Sequence, residues 1–228
     1  MRVFVPMSND YLHCLPPFAY LFNKHYSRKQ PVVVICYDKC PQNLPPNFEV
    51  HSVGKQKRYT YAAGLMRFLS GVPDERFVMI HEDNFIIDRV NVDKVVLLGC
   101  YMQANSQVVK INLVNNFERV SHASIGPIEM VKMTGNSSYQ FSLTPAIWNR
   151  RFMLRFLDPR EDIWQTERAG TWRIVAVRRE GWDGINLGVK EPLVRYINAV
   201  ERRTLPGPWS RGRFPPGLWD ELSSRGLV

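Results

Sequence analysis

An α/β fold with a mostly parallel central sheet is predicted for this 228-residue chain by three observations. Residues 32–37 (VVVICY) and 77–80 (FVMI) are short apolar runs of the kind buried on both faces of a parallel sheet. Helical patterns alternate with such runs through the first half, as βαβ units require. The second run also stops abruptly on His81-Glu82-Asp83-Asn84, and ligands of parallel sheets bind beyond the carboxyl ends of their strands.

Taken in order, residues 3–6 read as a first strand. Residues 10–26 carry a helical pattern that Pro16 and Pro17 should break or kink. The 32–37 strand is followed by a Pro-rich loop at 41–46 and a short strand at 48–53. Residues 59–69 read as a helix ended by Gly71 and Pro73, and 77–80 as the next strand. A helix is expected at 92–103, a strand at 108–113, irregular chain at 114–138 and a strand end at 141–143. Thr144 and Pro145 look like the N-cap and first position of a helix running to about 157. Another helix should open at Asp158 and end near Gly170, followed by a strand at 172–177. The last short helix is expected at 218–224. One catalytic domain over 1–200 and a basic Pro/Arg/Trp-rich C-terminal extension over 201–228 are the domain reading.

Composition excludes several classes. No run approaches the ~18 apolar residues of a membrane span. The N-terminus has no secretory h-region, and the four cysteines show no paired zinc spacing, so a cytoplasmic protein with buried free thiols is expected. No dinucleotide Gly-x-Gly-x-x-Gly, phosphate-loop Gly-Lys-Ser/Thr or Gly-x-Ser-x-Gly elbow occurs, and the five histidines lack metal spacing. The net charge of +9 is uneven: +6 over 1–70 (nine Lys/Arg, three acids), −2 over 71–147 (six, eight) and +5 over 148–228 (fifteen, ten). Two basic ends around an acidic centre suit a polyanionic partner.

Two carboxylates ending a buried strand are costly unless they meet a cation or hydrogen-bond donors. A Mg²⁺ or Mn²⁺ held by one or two carboxylates and bridging a diphosphate supplies that reason. In an extended chain Glu82 and Asn84 would share one side and Asp83 would face the other.

The apolar strand and acidic triplet of 77–88 resemble those of GT-A-type glycosyltransferases, specifically the small bacterial and phage sugar transferases of that fold. Two further segments carry the resemblance: Ser142-Leu143-Thr144-Pro145-Ala146-Ile147-Trp148 with Glu161-Asp162-Ile163-Trp164-Gln165-Thr166-Glu167, and Tyr196-Ile197-Asn198-Ala199-Val200. The chain departs from the usual triplet at Asn84, which leaves Asp83 as the metal candidate. The resemblance implies a GT-A-like, Rossmann-like sheet and a nucleotide-sugar donor, UDP-hexose favoured. It implies that the loops of Pro6, Ser8, Asp10, Tyr11, Tyr37 and Asp38 touch the nucleotide beside Glu82, Asp83 and Asn84. Lys55, Lys57 and Arg58 are candidates to neutralise the diphosphate. It also places a general base at Glu161 or Asp162. Asp158 and Glu161 look like a capping box, which turns the choice toward Asp162, with Glu167 orienting the cluster. Trp148 and Trp164 are candidate stacking surfaces for a sugar.

For the acceptor, basic residues interleaved with aromatics point to DNA carrying a 5-hydroxymethylated pyrimidine. Arg58, Tyr59, Trp164, Arg202, Arg203, Arg211 and Arg213 are its candidate contacts. A cell-surface glycan or its lipid-linked precursor is the alternative acceptor. A non-catalytic nucleic-acid-binding domain is the alternative class.

Overall fold

The computed structural model describes residues 1–57, 61–115, 119–135, 137–201 and 209–228. Its first half runs β1 (Val3–Pro6), α1 (Leu15–His25), β2 (Val32–Cys36), β3 (Phe48–Ser52), α2 (Tyr61–Gly71), β4 (Arg76–Met79), β5 (Asn84–Ile86) and α3 (Val92–Ala104). The second half runs β6 (Val108–Asn112), β7 (Arg119–Ile125), β8 (Ile128–Met133), β9 (Ala146–Asn149), α4 (Arg150–Phe156), α5 (Ile163–Arg179), β10 (Ile185–Val189), β11 (Tyr196–Asn198) and α6 (Leu218–Ser224).

Among the described residues, nine strands make one sheet in the order β3-β2-β1-β4-β9-β6-β10-β8-β7. β1, β2, β3 and β4 are mutually parallel, and β6 and β10 form a second parallel pair. β9 runs antiparallel between β4 and β6, which turns β6 and β10 back into the direction of β4. The strand side chains alternate faces as the pleat demands. Val3, Val5, Val32 and Val34 pack with α1 and α3 on one side, whereas Phe4, Val33, Phe77 and Met79 pack with α2 and α4 on the other. Both faces are covered, so the runs at 32–36 and 77–80 are apolar throughout rather than alternating.

Several elements differ from the sequence reading. The 10–26 segment is a 3-10 helix at Asn9–Cys14 followed by α1. Pro16 and Pro17 start that α-helix instead of breaking it, because the first-turn N–H groups have no helical partner in any case. The irregular stretch contains the β7–β8 hairpin at the sheet edge. Thr144 caps no helix: residues 146–149 are β9, and Asn149 caps α4 by accepting from the Phe152 N–H at 3.0 Å. A short apolar run such as Ala146-Ile147-Trp148 reads alike as strand or helix until its hydrogen-bond partners are known. Residues 158–162 precede α5, which continues through the expected 172–177 strand to Arg179. Residues 141–143 close a turn and continue as irregular chain rather than a strand end, and Ile185–Val189 form β10, where the sequence pattern predicts no strand. The thiols of Cys14 and Cys36 are buried, but Cys100 is exposed on α3.

Residues 209–228 pack on the main core. Leu218 and Leu222 of α6 join the α1 face, and Glu221 takes a hydrogen bond from Tyr20 and an ion pair from Lys24 at 2.7 Å. No described helix is long and apolar enough to cross a membrane.

One close approach fixes α5. A Cβ at Gly170 would stand 2.8 Å from the Phe141 ring, which is fully buried. Gly170→Ala is therefore expected to destabilise by about 1–3 kcal/mol through overpacking, read as a lower urea midpoint at unchanged slope.

Candidate active site

β1 has β2 on one side and β4 on the other, and β2 leads on to β3 in one direction while β4 leads on to β9 in the other. The chain order reverses at β1, and that reversal opens a crevice at the carboxyl ends of the strands. A cleft of about 740 Å³ lies there. Pro6, Ser8, Asp10, Tyr11 and Tyr37 form one side, His81, Glu82, Asp83 and Asn84 the floor, and Thr144, Asp162, Trp164 and Glu167 the far side.

The floor is built by backbone. Ile80 donates to the Phe4 carbonyl at 3.1 Å and ends the strand pairing. The chain then turns, with the Asn84 N–H donating to the His81 carbonyl at 3.0 Å. Glu82 and Asp83 are thus turn residues, so the alternation of an extended chain does not apply, and all three members of the triplet line the cleft. β5 continues from the turn and pairs antiparallel with β11, Asn84 opposite Asn198. The Ala199 N–H donates to the Asp83 carbonyl at 2.9 Å, and the Asn84 side-chain amide donates to Asp83 at 3.0 Å and to Asn198 at 3.1 Å. Asn84 thereby orients the Asp83 carboxylate from within a small sheet of its own.

The opposite wall is a hydrogen-bonded loop cluster. The Ser8 N–H donates to Glu82 at 3.3 Å, and the Ser8 hydroxyl accepts from Asp10 N–H at 3.2 Å and from the Gln56 amide at 3.1 Å. Gln56 accepts from Asn9 N–H at 2.7 Å. Asp38, outside the cleft, ties both loops together: its carboxylate accepts from the Asn9 side chain and the Gln56 N–H, and these bonds hold it below the usual carboxylate range.

The far side carries the second carboxylate group. The helix begins at Ile163, and Asp162 is its N-cap in a reciprocal box with Gln165 (2.7 and 3.0 Å). The expected box of Asp158 with Glu161 does not form. Asp158 is held by Arg160, and Glu161 is clamped by the two terminal guanidinium nitrogens of Arg173 at 2.7 and 2.8 Å. Arg173 also donates to the Phe156 carbonyl, so Glu161 joins α4 to α5 and does not line the cleft. Glu167 faces the cleft and accepts from the Leu143 N–H at 2.6 Å.

Sequence reasoning overlooked Lys110, a lysine with no exposed surface in the middle of β6. Its ammonium donates to the Ser142 carbonyl at 2.5 Å and lies 4.3 Å from the centre of the Trp148 ring. Lys110 and Glu167 thus grip the 142–144 segment through consecutive backbone groups. Burial pushes the Lys110 amine down to about 7, opposed by the field of Glu167. The signal was legible: a lone charge inside the apolar run Val108-Val109-Lys110-Ile111 is expensive without a partner. Tyr61, partly buried against the α2 face, is hydrogen-bonded to His81 Nε2 at 2.9 Å beside the acidic turn. Desolvation, followed by the charge of Glu167, raises its phenol well above the ordinary value.

Of the other sequence-derived candidates, Trp164 stands at the cleft rim, while Trp148 is wholly buried in the core and stacks no ligand. Lys57 lines the cleft. Arg211 and Arg213 are exposed away from it, Arg211 lying 4.3 Å from the Trp219 ring centre. Arg58, Tyr59, Arg202 and Arg203 lie outside the described residues.

A divalent ion bound with a diphosphate takes one or two protein carboxylates and completes its shell with phosphate and water oxygens. Asp83 and Glu82 on the cleft floor fit that mode. Among the described residues no group of three or more His, Cys, Asp or Glu is placed to cage an ion by protein alone.

The mixed nine-stranded sheet, its helices on both faces and the separate β5–β11 pair behind the acidic turn define a GT-A-like fold. Among solved structures the chain is similar to the mannosyltransferase PcManGT from Pyrobaculum calidifontis in complex with GDP-Man and Mn²⁺, with a TM-score of 0.54 at 16% identity, covering 90% of this chain and 58% of that one. It is also similar to TarS 1–349 from S. aureus (TM-score 0.52, 13% identity, 86% of this chain, 60% of that). A longer TarS structure gives a TM-score of 0.52 at 14% identity, with 86% of this chain and 36% of that chain covered. The chain therefore spans about three-fifths or less of these proteins, and the likeness is one of fold. No protein-family model and no curated protein sequence matches it.

Proposed function

We propose that this protein is a glycosyltransferase that moves a hexose from a nucleoside-diphosphate sugar, UDP-hexose favoured, to an acceptor hydroxyl. The observation that carries the reading is the placement of two carboxylate groups, Glu82–Asp83 and Asp162–Glu167, on opposite sides of one cleft at the carboxyl ends of β1, β2 and β4. A diphosphate seats over the first, and an acceptor enters past the second.

In this reading Pro6, Ser8, Asp10 and Tyr37 flank the nucleoside, and Asp83, with Glu82, would hold Mn²⁺ or Mg²⁺. When bound, the ion neutralises charge on the departing diphosphate. Asp162 is the general base: it lines the cleft at the N-terminus of α5, and its carboxylate accepts from the Gln165 N–H, which fixes its orientation. In a direct displacement, Asp162 takes the acceptor O–H proton. The acceptor oxygen then bonds to the anomeric carbon as the bond to the diphosphate oxygen breaks. Glu167 positions this region through Leu143.

The acceptor in this proposal is a 5-hydroxymethylated pyrimidine in DNA. Supporting it are the net charge of +9 and the exposed Arg211 and Arg213 beside the aromatic cluster of Trp209, Phe214 and Trp219. Two measurements test the reading. A nucleotide-sugar panel with Mn²⁺ is expected to raise the melting temperature by several degrees for one donor; no shift with any donor removes the glycosyltransferase assignment. Sugar release should be stimulated by hydroxymethylated DNA and weaken steeply with salt. Stimulation by a lipid-linked glycan instead would replace DNA as the acceptor.

A further inference from the structure

α5 presents one side to solvent. The inner stripe Thr166, Gly170, Thr171 and Ile174 is buried, and Arg173 is occupied by Glu161. Facing outward at successive i, i+4 positions are Trp164, Arg168 and Trp172. Trp164 is 45% exposed and lines the cleft; Trp172, at 71%, is the most exposed large apolar side chain among the described residues. Water contact over so much indole is unfavourable, and the two indoles share one side of a helix whose first turn lines the cleft. The exposed positions between Gln165 and Arg179 carry Arg168 and Arg179 and no carboxylate.

We propose that this side of α5 is the track along which a single-stranded or locally opened nucleic-acid acceptor reaches the cleft. One base stacks on Trp164 at the cleft mouth, Arg168 meets a phosphate, and another base stacks on Trp172. The proposal rests on the DNA-acceptor reading above. The two indoles are separated by eight residues, about 12 Å of helix rise. Stacked nucleotides repeat at ~3.4 Å, so the track spans several nucleotides, long enough to hold a strand beside the one being modified. Aromatic stacking with arginines between is the chemistry of single-strand binding, tolerant of sequence and sensitive to salt. A neutral glycan would use the indoles and leave the arginines without a role.

The test measures binding of a fluorescent single-stranded oligodeoxynucleotide to the full chain by anisotropy at low salt. Trp172→Ala and Arg168→Gln are each expected to weaken binding about 5-fold or more, and Arg168→Gln also to flatten the salt dependence. Arg89→Gln, an exposed arginine before α3, is the control and should change binding less than twofold. Trp172 is largely in water, so its removal should leave the melting temperature unchanged. The track is ruled out if both α5 variants bind DNA like wild type. It is equally ruled out if Trp172→Ala weakens only a neutral oligosaccharide, or if it dissociates a dimer of the wild-type chain. Donor-induced stabilisation of the wild-type chain checks the underlying glycosyltransferase reading separately: with that shift intact, unchanged DNA binding overturns the track alone.

Discussion

Asp83→Asn is expected to cut turnover by about 10²–10³-fold, the effect of losing several kcal/mol of charge stabilisation on a departing diphosphate. The substitution keeps the shape of the side chain, and the backbone that holds the turn does not depend on its charge. The Ala199 N–H still meets the Asp83 carbonyl, and β5 still pairs with β11. Folding should therefore be near normal, with a melting temperature within a few degrees of wild type. Donor-induced stabilisation in Mn²⁺ should fall away in the same variant. Steady-state kinetics beside a thermal shift separates these readouts. Wild-type turnover by Asp83→Asn would remove the acidic turn from the mechanism.

The second large effect concerns Lys110 and has a sign set by pH. Its ordinary value is 10.5, and burial lowers it to about 7 in the folded chain. Between those values the unfolded chain holds a proton that the folded chain has released, so stability from this group rises with pH above about 7. Below that range both states are protonated, and the folded state bears the full cost of a buried ammonium. Lys110→Met removes the titration and leaves the Ser142 carbonyl without its lysine donor. The variant should thus be more destabilising at pH 9 than at pH 6, by about 2–3 kcal/mol. Urea unfolding of both proteins at the two pH values measures the difference. An equal cost at both would show that Lys110 keeps its proton across the range, held by Glu167 more strongly than burial opposes it.

The elements that build the site were not equally legible. The 32–37 and 77–80 runs announce themselves because strands covered on both faces cannot alternate, and the polar residues after them fall where parallel sheets bind ligands. The Asp83 turn was accordingly readable from the primary structure. β9 and the β7–β8 hairpin were not. Residues 146–149 are a strand only because they insert antiparallel between β4 and β6, and strand pairing is a property of distant partners. The assignment of caps failed for a related reason. Asp158 and Asp162 both stand near a helix start, and the ion pair of Glu161 with Arg173, twelve residues on, leaves only Asp162 to cap α5.

The sequence by itself determined the layered α/β class, the strand-end position of Glu82-Asp83-Asn84 and the basic ends of the chain, because periodicity, strand length and charge are local quantities. Only the tertiary structure decided which acids share the cleft, that Glu161 is not among them, and that Lys110 and Glu167 grip one loop from two sides. Those outcomes depend on distances between segments far apart in the chain, set by sheet register and helix packing, which no local pattern encodes.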